Sequence, residues 1–164
     1  MGENIFVSSI AFGNQNLKEI VKYSNLLSYN LEFSSNLPFK KNNLDLFNEF
    51  LGGKLIHNYF PPPENPFVIN LASDKKQILN QSIEHCKNNL LRTSENNLPF
   101  YSVHAGFCID PKISSLGHLI KINKDFKRSK HVQIFIESLK ELSDFASSNN
   151  VKLLIENNVL SEEN

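Results

Sequence analysis

Four residues in this chain carry the chemistry from which a polar site is built: Glu32, His57, His104 and Glu156. Carboxylates and imidazoles hold divalent metals such as Mg, Mn or Zn, and they also serve as general acids and bases. Each stands at or near the end of a short apolar run: Glu32 in YNLEF, His57 in LIHNYFPPP, His104 in PFYSVH and Glu156 in VKLLIE. An unpaired carboxylate is costly to bury, so Glu156 calls for a cation or hydrogen-bond donors. Neighbouring backbone with Asn157 or Asn158 is the plainer way to satisfy it. His57 and His104 could likewise be histidines hydrogen-bonded within the fold, and Glu32 could face a helix. Asn58, directly after His57, is a further polar candidate for contacting a substrate. Gly106, just past His104, would let backbone approach a ligand closely. The other histidines, His85, His118 and His131, fall in a helix, a polar segment and a helix start, and read as solvated or capping residues.

The elements that must position these residues follow from hydrophobic patterning. Residues 4–10, 29–33, 54–59, 99–104 and 151–156 read as strands. Asn16, with Glu19 three residues on, forms a capping-box signature for a helix carrying Leu17, Ile20, Val21 and Leu27 on one side. LDLFNEFL (44–51) reads as a short helix ended by Gly52-Gly53. Asp74 with Gln77 opens a long helix to about Arg92, with Ile78, Ile83, Cys86 and Leu90 at helical spacing. Val132, Phe135, Leu139, Leu142 and Ala146 predict a last helix with one buried stripe. Strands alternating with helices imply βα units and a parallel sheet, whose strand carboxyl ends form the site. The three prolines 61–63 supply no amide donors and stiffen the loop beyond His57.

Composition excludes several classes. The chain has 164 residues and a formal net charge of zero, which is no footprint for a dedicated nucleic-acid binder. Its two cysteines, Cys86 and Cys108, have no CxxC spacing and read as reduced thiols of a cytoplasmic protein. The N-terminus lacks a basic region before its apolar run, so no signal peptide is expected, and no apolar run is long enough to span a membrane. No P-loop, GxGxxG or GxSxG motif is present. The segment 105–130 is long for a connection and reads as a binding loop or lid. Its KINKDFKRSK stretch could hold a substrate phosphate or simply be solvated surface.

The segments FVSSIAF, NLEFS, LIHNYFPPP with the downstream INLAS, YSVHAGF and LLIENN resemble, in order and spacing, the xylose isomerase-like TIM barrels. That superfamily includes sugar phosphate isomerases and epimerases and, on the same barrel, endonuclease IV-type abasic-site nucleases. The resemblance implies an α/β fold: a partial (β/α)8 TIM barrel of about five parallel strands with flanking helices, residues 1–164 being one domain truncated after strand five. It implies a divalent metal (Mn, Mg or Zn) in the complete fold, with Glu156 as metal ligand and catalytic residue. His104 would be catalytic, and His57, Glu32 and Asn58 would contact a sugar or sugar phosphate. In the nuclease branch the two histidines would help to bind zinc. A complete barrel needs about 250 residues. The resemblance therefore implies a truncated product, or self-association or a partner chain that completes the barrel, with little activity in the isolated chain. The leading expectation is a metal-dependent isomerase or epimerase. The alternatives are an abasic-site nuclease, weakened by the neutral charge, and a non-catalytic fragment or assembly partner.

Overall fold

The computed structural model describes residues 5–13, 16–34, 37–115 and 127–157. In chain order the elements are β1 (Phe6–Ser8), a 3-10 turn (Ser9–Phe12), α1 (Leu17–Leu26), β2 (Asn30–Phe33), α2 (Asn43–Glu49), β3 (Lys54–Ile56), α3 (Lys76–Glu95), β4 (Tyr101–His104), a second 3-10 turn (Ile113–Ser115), α4 (Arg128–Ser148) and β5 (Leu153–Glu156). The fold is mixed α/β. β1, β2 and β3 form one parallel sheet in that order, and β4 and β5 form another. Among the described residues a parallel bridge between His57 and Ser102 links the two sheets.

The register decides which way each side chain points. Ser8 pairs with Glu32, and Glu32 with Leu55. Two residues past Leu55, His57 pairs with Ser102, and two past Ser102, His104 pairs with Glu156. Side chains alternate along a strand and paired residues share a face, so Glu32, His57, His104 and Glu156 all project from the same face. The opposite face carries Leu31, Phe33, Ile56, Tyr101 and Val103. These are buried in one core with Leu17 and Ile20 of α1, Phe47 of α2, Cys86 and Leu90 of α3, and Leu142 and Ala146 of α4. One side of the strands packs on the helices and the other carries these four polar residues.

Several boundaries differ from the sequence expectation, each for a local reason. Asn16 caps α1 by accepting from the Glu19 amide at 3.1 Å, but Leu27 lies past the helix and is exposed. Gly52-Gly53 do not end α2, which stops at Glu49. Instead the Lys54 ammonium donates to the Phe47 carbonyl at 2.9 Å, satisfying the helix terminus. The glycines allow close approach: a Cβ on Gly52 would stand 2.7 Å from the Phe50 ring, and one on Gly53 2.7 Å from the Asn30 side chain. Asp74 does not cap α3, which starts at Lys76 without a side-chain cap. Its carboxylate binds Lys130 of α4 at 2.8 Å. Asn97 and Asn150, just past α3 and α4, take positive φ of 51° and 56°, the helix-ending role that glycine often fills.

The stripe expected on α4 is buried only in its second half. Leu142 and Ala146 reach the core, whereas Val132 is exposed and the buried positions of the first half are His131 and Ser138. The irregular segment beneath them explains the exchange. Its carbonyls need donors, and Ser138 Oγ donates to the Leu71 carbonyl at 2.8 Å while His131 Nδ1 lies 2.7 Å from that of Ala72. His131 is thus an anchor and not a solvated helix start. Gly106 is also a packing position. A Cβ there would lie 2.5 Å from the Ala72 side chain and 2.6 Å from its amide nitrogen, so protein fills the space expected for a ligand. His118 and residues 121–126 of KINKDFKRSK lie outside the described residues.

Candidate metal centre

His57 owes its position to anchors on its neighbours. Its amide continues the ladder from β2 by donating to the Phe33 carbonyl at 2.9 Å, and its own carbonyl closes a turn to Phe60 at 2.8 Å. The carbonyl of the next residue, Asn58, accepts from the buried Tyr101 hydroxyl at 2.8 Å, faces His85 Nε2 at 3.2 Å and accepts from Asn89 at 3.3 Å. β4 and α3 therefore clamp the chain one residue past His57. Asn58 itself is buried, its Oδ1 has no hydrogen-bond partner, and it lines a cleft near the histidines without joining them.

His104 and Glu156 stand opposite each other as the last pair of the β4–β5 ladder, and the Ala105 amide extends it by donating to the Glu156 carbonyl at 2.9 Å. Nδ1 of His104 lies 3.9 Å from Oε2 of Glu156. The His57 and His104 rings meet edge to face, with centroids 5.3 Å apart. One potential ligand atom from each of His57, His104 and Glu156 falls within 4.8 Å of the other two. Glu32 flanks this group, with Oε1 3.4 Å from His57 Nδ1. Ser34 Oγ donates to its other oxygen at 3.4 Å and is itself 2.6 Å from Ser8 Oγ.

The electrostatics divide the two imidazoles. Interaction with the Glu32 carboxylate raises the pKa of His57 above 6.5, against desolvation, and the same contact lowers that of Glu32. Desolvation lowers the pKa of His104, against the pull of Glu156. Both Nδ1 atoms are buried and make no hydrogen bond of good geometry. Each faces a carboxylate, at 3.4 and 3.9 Å, and so loose a pairing is unusual for a buried ring nitrogen. Two imidazoles and a carboxylate are also a donor set that suits Zn or Mn. The residues present therefore fit a divalent cation.

His104 also opens onto a cleft of about 370 Å³ walled by Leu37, Phe39, Tyr59, Pro62, Phe67 and Phe107. The loop after β4 forms one side and is fixed by Asn70. The Asn70 side chain donates to the Ile109 carbonyl and to Asp110, both at 2.9 Å, and accepts from the amides of Ala72 and Phe107. Sequence reading passed over Asn70, although it sits in the INLAS stretch. No family model matches this chain, and no curated protein matches it. Among the described residues no helix is long and apolar enough to cross a membrane.

His85 is structural rather than solvated. It stacks on Tyr59 with centroids 5.4 Å apart, and burial holds its pKa down to about 4. The unfolded chain binds this proton near pH 6.5 and the native state only near 4. The contribution to stability is therefore full above pH 6.5 and lost as pH falls through 4. It amounts to about 3 kcal/mol. Urea unfolding at pH 7.0 and 4.5 checks this: wild type should lose more stability across the interval than His85→Gln, by about 2–3 kcal/mol. Parallel losses would assign the acid sensitivity elsewhere. Cys86, with its thiol pushed up to about 12 by burial, is a core residue and no nucleophile.

Proposed function

We propose that His57, His104 and Glu156 hold a divalent metal, and that this site belongs to a sugar or sugar-phosphate isomerase or epimerase of the xylose isomerase-like type, built on a partial (β/α)8 barrel. The observation that carries the reading is the convergence of the three donors within 4.8 Å from three separate strand ends. The fold supports it: five parallel strands follow one another in sequence order, bridged at His57, with polar residues gathered at their carboxyl ends. When bound, the metal supplies Lewis acidity that polarises a carbonyl beside a hydroxyl.

The remaining work falls to the chain. Glu32 Oε1 faces Nδ1 of His57 at 3.4 Å and favours the ring proton on that side, so that loss of the Nε2 proton would give the metal its lone pair there. Glu32 is thus a positioning residue acting through His57. His104 stays neutral at pH 7 because its pKa is lowered, so its lone pair is free without proton loss. The cleft beside it, walled by apolar side chains, offers room for the substrate carbons.

The test is solvent exchange. The full 164-residue chain, supplied with Mn²⁺, is incubated in D₂O with aldose and ketose phosphates and their unphosphorylated sugars. Metal-dependent deuterium uptake at the carbon next to the carbonyl, seen by NMR, is the expected result. Its absence in a chain that binds metal would favour the non-catalytic reading. Cleavage of abasic DNA under the same conditions would favour the nuclease.

A further inference from the structure

A second cavity, of about 220 Å³, is lined by the whole proline run, Pro61, Pro62 and Pro63. Lys40 and Lys41 from the β2–α2 connection, and Arg92 and Asn88 from α3, bring polar groups to it, and no Asp or Glu lines it. Phe39, Pro62 and Pro63 form a wall shared with the cleft beside His104. The two cavities therefore adjoin along these residues.

Arg92 makes this cavity more than a gap between lysines. Its guanidinium is partly buried and donates to Asn89 Oδ1 at 3.1 Å. Among the described residues no carboxylate lies within 4.0 Å of it, although Glu95, on the same helix, acts on it at longer range. A partly desolvated guanidinium without a close counter-charge is costly. The chain has only two arginines, and this one is the planar, five-donor group suited to phosphate oxygens. His85, on the same lining, is held neutral by burial and adds no competing charge requirement. The proline wall offers no amide donors, so charge recognition falls to Lys40, Lys41 and Arg92. A volume of about 220 Å³ is smaller than a typical drug-sized pocket and matches a phosphate group with a few attached carbons.

We infer that this cavity binds the phosphate group of a small organic phosphate through Arg92, Lys40 and Lys41. The inference does not depend on the metal reading. The probe is inorganic phosphate, added to the full chain in EDTA with chloride controls at matched ionic strength. Saturable ³¹P NMR line broadening is expected, with a Kd on the order of 1 mM and a rise in melting temperature that chloride does not reproduce. Arg92→Gln should abolish it. Because Arg92 also braces Asn89, the exposed pair Lys40→Gln/Lys41→Gln provides a second variant and should weaken binding by about tenfold or more. His104→Ala should leave it unchanged. Binding that is not saturable, that survives both charge-removing variants, or that disappears in His104→Ala would overturn the assignment.

Discussion

Glu156→Gln is expected to weaken Mn²⁺ or Zn²⁺ binding at pH 7.5 by at least about 100-fold, with His104→Ala close behind. The carboxamide keeps the shape of the carboxylate but removes the only formal negative charge among the three donors that converge within 4.8 Å. His104→Ala removes a donor whose neighbour Glu156 would remain in place. Glu32→Gln should act more gently, costing about 10- to 100-fold, because Glu32 orients His57 and does not itself join the three donors. Calorimetric titration of the four proteins gives the affinities. The graded order is the informative feature. Equal affinity in all four would remove these residues from the metal account, and equal loss in all would point to general disruption, which melting curves without metal would reveal.

Phe33→Ala should produce the largest loss of stability, about 3–5 kcal/mol. Phe33 is fully buried. Its ring contacts Phe47, Phe60 and Phe50 at centroid distances of 4.8, 5.1 and 5.8 Å, so the truncation leaves a cavity walled by three rigid rings. Set against the 5–15 kcal/mol available to a typical domain, that loss could leave the chain largely unfolded at 37 °C. The consequence also reaches the site. Phe33 lies between Glu32 and the first β3 amide past the strand, since its carbonyl accepts from His57. A milder change, Phe33→Leu, should cost about 1.5 kcal/mol and retain metal binding. Urea denaturation of the pair separates packing from function. A loss below 1 kcal/mol in Phe33→Ala would show that this aromatic cluster does not hold β2 in place.

The strand ends were legible because alternation and apolar runs are local. PFYSVH and VKLLIE each end an apolar run on a polar residue, and the register brings Glu32, His57, His104 and Glu156 to one face. The role of Glu32 was less legible. Its partner His57 is far along the chain, so a helix-facing position could not be separated from a site position by pattern alone. Helix ends were the weakest point. Lys54 caps α2 from the following strand, and Asp74 turns to α4 instead of capping α3. Both are tertiary choices that a capping signature does not contain. The same is true of His131 and Ser138, which displace apolar residues on the inner face of α4 because carbonyls of another segment need donors. His85 shows the limit most clearly. A histidine in a helix looks solvated until the Asn58 carbonyl and the Tyr59 ring are placed beside it.

The most direct test of the metal centre is anomalous X-ray diffraction from crystals of the chain grown with Mn²⁺ or Zn²⁺. One strong anomalous peak is predicted within about 2.0–2.3 Å of a ring nitrogen of His57, a ring nitrogen of His104 and a carboxylate oxygen of Glu156. A peak bound elsewhere, or no peak at saturating metal, would contradict the account.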